Sequence, residues 1–122
     1  MKKTFISIAV FLSLCINAFS QNSIDPVLQE VINQKGDEMI NINIIFKAQI
    51  KPETLQAKAM KVSDKETRRN ILVDELKLFS EKEQSDVMSI LQAEKRSNKV
   101  SDIKSHWLSN AISCKASRDV IY

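Results

Sequence analysis

The sequence predicts an α+β domain that carries the first half of a βαββαβ unit. Three observations lead there. Ile40, Ile42 and Ile44 alternate with Asn41 and Asn43, the period of a half-buried strand. From Ser63 to about Asn98 the chain holds no Gly and no Pro, and its apolar residues recur at helical spacing. The run Ile103-Lys104-Ser105-His106-Trp107-Leu108-Ser109-Asn110-Ala111-Ile112-Ser113 then reads as two strands joined by a tight turn at Ser109-Asn110.

The elements follow in order. Met1-Lys2-Lys3, an apolar run from Phe5 to Ile16 and the small-residue pattern of Ala18-Phe19-Ser20 make a secretory signal peptide over residues 1–20. Cleavage is expected between Ser20 and Gln21. The apolar run is shorter than the ~20 residues a membrane span needs. Cys15 follows Leu14, where lipoprotein processing wants a small residue, so it reads as part of the apolar segment. Residues 21–36 form a linker and a short helix, Pro26 to Gln34. Asp25 caps that helix, Pro26 suits its first position and Gly36 its C-terminal end. Residues 37–122 form the incomplete domain.

The first strand is expected from Met39 to Ala48. Ile45 and Phe46 break its alternation and suggest partial cover on the second face. Pro52 starts a turn of helix reaching Met60. Ser63-Asp64-Lys65-Glu66 fits a capping box, with Ser63 as cap. The long helix it opens presents Leu72, Leu76, Phe79, Val87, Ile90 and Leu91 on one face. Its length is about 50 Å at 1.5 Å per residue. Lys99 to Ser101 is a link, Ile103 to Ser109 the second strand and Ala111 to Ala116 the third. Ser117 caps a further helical turn whose apolar face begins at Val120 and Ile121.

Composition narrows the function. Lys2 and Lys3 leave with the signal peptide, so 16 basic residues face 15 acidic ones, a net charge of +1. That balance argues against a nucleic-acid partner, which a basic stripe would mark. The membrane matters only during export. Cys114 alone survives cleavage, so no intrachain disulfide forms, and it reads as a small apolar strand residue. One histidine and one cysteine do not build a zinc site. No catalytic, cofactor-binding or metal-binding residue is assigned. His106, the single histidine, has no glycine-flanked serine to activate, because Gly36 is the single glycine. Lys77, Glu81, Lys82, Glu83 and Asp86 read as a solvated helix face with interspersed charges, and Lys65, Arg68 and Arg69 as too small a basic cluster to read nucleic acid. Trp107 is expected in the core, with Leu108 on the opposite strand face.

Residues 26–122 resemble the N-terminal prodomain of secreted bacterial subtilisin-like serine proteases, and most of all the longer fervidolysin-like prodomains. The likeness rests on the order short helix, strand, long helix, and on a strand ending aromatic–aliphatic that turns through Asn-Ala-Ile. Trp107, Leu108, Asn110, Ala111 and Ile112 match that pattern. The resemblance implies a ferredoxin-like fold, here partial, with an unusually long first crossover helix and with the second helix, last strand and inhibitory tail missing. It implies an intramolecular chaperone and temporary inhibitor, with the cognate protease domain as its partner in cis. The chain would then be the N-terminal fragment of a protease precursor, not itself an enzyme, exported to the periplasm or beyond. The second reading is a standalone exported helical interaction or chaperone-like protein that self-associates through Leu72, Leu76, Phe79, Val87 and Leu91.

Overall fold

The computed structural model describes residues 24–122. The expected signal peptide, the Ser20–Gln21 cleavage point assigned to it and Cys15 lie outside the described residues. The rest is a mixed α+β arrangement: α1 (Pro26–Lys35), β1 (Ile40–Ile45), α2 (Pro52–Ala59), α3 (Lys65–Arg96), β2 (Val100–His106), β3 (Ala111–Ala116) and α4 (Arg118–Ile121). The three strands form one antiparallel sheet in the order β1-β3-β2. Both β1 and β2 run antiparallel to the central β3, so they are parallel to each other and split by it. The α2–α3 segment makes the crossover between them.

The element ends have local causes. Asp25 accepts the Val27 N–H at 2.8 Å and caps α1, with Pro26 in the first turn. Gly36 closes α1 at φ 59°, a left-handed conformation that glycine adopts without Cβ strain, and its N–H returns to the Ile32 carbonyl. The cap of α3 is Asp64, not the expected Ser63. Its carboxylate accepts the Thr67 N–H and the Thr67 hydroxyl, each at 2.7 Å. A carboxylate placed over free N–H groups at a helix start is a stronger acceptor than a neutral hydroxyl. Those same bonds, the Thr67 backbone N–H foremost, hold the Asp64 carboxyl below its ordinary range.

One face of the sheet packs on α3. Leu91, Val100, Ile112, Cys114 and Ala116 are the buried centre, and Ile42, Ile44, Phe46, Val87, Met88, Ile103, Val120 and Ile121 pack around it. Ile112 is fully buried on the central strand. Cys114 is buried as expected, and desolvation pushes its thiol pKa up. On α1, Ile32 is fully buried and Gln29 hydrogen-bonds the Tyr122 hydroxyl.

Four expectations are corrected. The first strand ends at Ile45, and Ile45 is 73% exposed rather than covered. Ile90 is exposed, although its spacing placed it on the apolar face of the helix. The second strand starts at Val100 and ends at His106. The cause is a bulge: Ser101 pairs with Lys115 and Lys104 with Ser113, so β2 carries one extra residue there, with Asp102 at φ 52°. The bulge shifts the side-chain phase, so Val100 before it and Ile103 after it both reach the core. Finally, the turn covers Trp107 to Asn110, and Trp107 and Leu108 are turn residues rather than the last residues of a strand. Trp107 is half-buried, and Leu108 is 71% exposed.

Candidate functional site

The residues that carry the resemblance come together at one end of the sheet, around a buried polar clasp. Gln84 stands on the sheet-facing side of α3, one turn after Ser80; both are buried. The two N–H groups of the Gln84 amide are shared among three acceptors, Ser80 Oγ at 2.7 Å, Asn110 Oδ1 at 3.2 Å and the Ala111 carbonyl at 3.3 Å. Its amide oxygen accepts from Ser105 Oγ at 2.7 Å. Asn110 in turn donates from Nδ2 to the Ala48 carbonyl at 2.8 Å, and its own carbonyl accepts the Phe46 N–H at 3.2 Å. One glutamine and one asparagine thus tie α3, β2, β3 and the chain just past β1 to the hairpin turn.

Asn110 suits this position twice over. Its φ is 44°, in the left-handed region that asparagine tolerates better than most residues. Its side chain also has a donor and an acceptor to spend in two directions. Among the described residues, no buried side-chain nitrogen or oxygen lacks a partner. A fully paired buried network fixes one arrangement, since each alternative leaves polar groups desolvated and unbonded. Trp107 adds an outer fastening: Lys77 on α3 lies over its ring, 5.7 Å from the centroid.

Of the five motif residues, the structure buries Asn110 and Ile112 on the α3 side and the small Ala111 within the sheet's other face, leaves Trp107 half-buried and exposes Leu108. Gln84, Ser80 and Ser105 were missed by sequence reasoning. Their signal is faint but present: Ser80 and Gln84, four apart, fall in the apolar stripe between Phe79 and Val87.

The clasp leaves the other face of the sheet open. Register places Asn41, Lys115 and Ser101 together, then Asn43, Ser113 and Lys104, then Ile45, Ala111 and His106. A shallow depression of ≈ 510 Å³ runs across it, lined in part by Asn41, Asn43, Asp102, Lys104, Ser113 and Lys115. Lys115 pairs with Asp102 at 3.0 Å. His106 Nε2 lies 2.8 Å from Ser113 Oγ. That pair has the reach of a base and a nucleophile, but no acidic side chain among the described residues hydrogen-bonds the imidazole, and the two groups sit on an exposed sheet face. The geometry is that of a cross-strand hydrogen bond. No group of three or more metal-ligating side chains is found among the described residues. No helix among them is long and apolar enough to cross a membrane.

At the opposite end of the sheet, Lys99 and Asp119 pair at 2.6 Å and tie the link between α3 and β2 to α4. Their hydrogen bond raises the Lys99 pKa and lowers that of Asp119, which the Ser117 hydroxyl also holds down. Compared with protein-family models, curated proteins and solved structures, the chain matches none.

Proposed function

We propose that this chain is the signal peptide and partial propeptide of a secreted subtilisin-like serine protease. In this reading it acts as the intramolecular chaperone and temporary inhibitor of a protease domain, and is itself no enzyme. The observation that carries the reading is the split βαβ order β1-β3-β2, with its long crossover helix and an Asn-Ala-Ile turn anchored by Asn110. This is the strand order of the first three strands of a ferredoxin-like domain. The single turn of α4, whose Val120 and Ile121 pack on the same core as α3, is where that fold begins its second helix.

The physical role follows from the sheet. A subtilase domain is built on parallel strands whose contacts are distant in sequence, and such pairing is slow to form. A rigid surface that binds the half-folded protease stabilises the arrangement it must reach. The open face, with amides at Asn41 and Asn43, cations at Lys104 and Lys115 and the exposed Ile45, offers both hydrogen-bonding and apolar contact for that purpose.

The helical self-association reading draws on the same apolar stripe. Leu91 is buried against the sheet and Val87 packs beside it, so two of its five seam residues are already committed within the chain. The prodomain reading is therefore preferred. Reading the coding DNA past the Tyr122 codon tests it. A frame that continues through a helix, a strand and a subtilase catalytic domain supports it. A frame that stops, or runs into an unrelated domain, removes it.

A further inference from the structure

The two edges of the sheet are built differently. The β2 edge is guarded: it carries the bulge between Ser101 and Lys104, with Asp102 at φ 52°, and the charges of Asp102 and Lys104. Bulges and charges on an edge strand are the features that stop another strand from adding to it. The β1 edge has none of them. From Met39 to Phe46 the chain is Met-Ile-Asn-Ile-Asn-Ile-Ile-Phe, with no charge, proline or glycine. Its six strand residues pair with β3 in unbroken register. Among the described residues no strand lies on its other side. Ile42 and Ile44 belong to the core but stay only half-buried at this flank.

We propose that β1 is a self-pairing edge, through which two copies of this chain join antiparallel, β1 to β1, into one continuous six-stranded sheet. The sequence of β1 is self-complementary in that direction. Residues opposite each other in an antiparallel pair share a face, so inner and outer faces stay in phase only in certain registers. One sets Ile42 against Ile42, Ile40 against Ile44 and Asn41 against Asn43. Another sets Asn43 against Asn43 and Ile42 against Ile44. In both, isoleucine meets isoleucine on the α3 side and joins the two cores. On the open side the first register pairs each Asn41 with Asn43, where each amide offers donor and acceptor to the other; the second pairs Asn43 with Asn43 and sets Asn41 beside the exposed Ile45. No like charges oppose one another, and a second copy is thus the strand that fits. The inference is separate from the prodomain reading, in which a last strand following Tyr122 would take this same edge and exclude a second copy from it.

A strand pair of six residues is small beside specific interfaces, which bury roughly 1,200 Å² or more, so the pairing is weak and shows at high protein concentration. The test is sedimentation equilibrium of the full chain over a wide concentration range, with amide hydrogen exchange at both ends of it. The expected result is a monomer–dimer equilibrium, with slower exchange in β1 at high concentration and none gained in β2. The double variant Asn41→Glu/Asn43→Glu places one carboxylate beside Lys115 within the chain, so folding is kept, and circular dichroism checks this. Across the dimer it sets like charges on the same face, and dimerisation weakens by at least about tenfold. Mixing it with the single variant Asn43→Lys, which leaves Asn41 beside Lys115 and sets its new ammonium against an introduced carboxylate at position 41 or 43 across the dimer, restores pairing as a heterodimer. A chain that stays monomeric throughout overturns the proposal. So does a dimer that the folded double variant leaves intact, because association then runs through another surface.

Discussion

The two faces of the sheet are made by the same three strands and obey different rules. The inner face carries Ile112, Cys114, Ala116 and Val100, all buried under α3, and admits polar atoms only where every one is bonded, as in the Gln84–Asn110 clasp. The outer face carries Asn41, Asn43, Ser113, Lys104, Lys115 and His106, joined by a few exposed contacts. The difference teaches that stability and recognition are separable here. The inner face determines whether the hairpin and sheet form, and the outer face carries few of the contacts that hold them, which is why the proposed partner is placed there.

The strongest way to break the comparison is to damage the inner face. Ile112→Ala removes a fully buried side chain from the central strand and should cost about 2–5 kcal/mol in chemical denaturation. Gln84→Leu comes next. It keeps the bulk but strips partners from Ser105, Asn110 and the Ala111 carbonyl, and should cost about 2–3 kcal/mol. A loss below about 0.5 kcal/mol would mean that the clasp is ornamental. Asn110 separates two effects. Asn110→Gly loses the hydrogen bonds but accepts φ 44°, whereas Asn110→Ala loses both, so alanine should be worse by about 1 kcal/mol.

Outer-face changes should be far gentler. Ile45→Ser, at a residue 73% exposed, should alter stability by no more than about 0.5 kcal/mol. The smallest effect is one of pH. The Asp64 and Asp119 carboxyls titrate below their ordinary value of 3.8, held by the Thr67 N–H and by Lys99. A depressed carboxyl stabilises the fold above its unfolded pKa, and that contribution is lost as pH falls through the folded one. Stability should therefore decline slightly below pH 3.8. Asp64→Asn, which keeps a capping oxygen, should remove part of that decline; an unchanged acid titration would contradict the role given to Asp64.

Much of this fold is legible in the sequence because single residues announce its joints. Pro26, Gly36 and the Ile-Asn alternation locate α1 and β1, and the long span without glycine or proline marks α3. Three features are hidden for physical reasons. The bulge in β2 depends on Asp102 taking a positive φ, which an aspartate does not advertise, so Val100 falls out of phase and reads as linker. The turn needs four residues because Asn110 is fixed by its side-chain bonds rather than by a two-residue hairpin geometry. The clasp is hidden because a glutamine in an apolar stripe looks like an interruption until its partners, 21 to 27 residues away, are folded against it. The motif residues Trp107, Leu108, Asn110, Ala111 and Ile112 were visible, but only the fold separates those that anchor the hairpin from Leu108, which faces solvent.

The central proposal is that a stable inner face presents an outer face that helps a protease fold. It is tested most directly by adding the chain to an acid-denatured subtilisin-like protease under refolding conditions and measuring the recovery of peptidase activity. The account predicts that the chain speeds recovery, that Ile45→Ser with Lys104→Ser keeps the fold but loses the acceleration, and that Ile112→Ala fails through unfolding. Recovery that is the same with the chain, with its outer-face variant and with neither would contradict it.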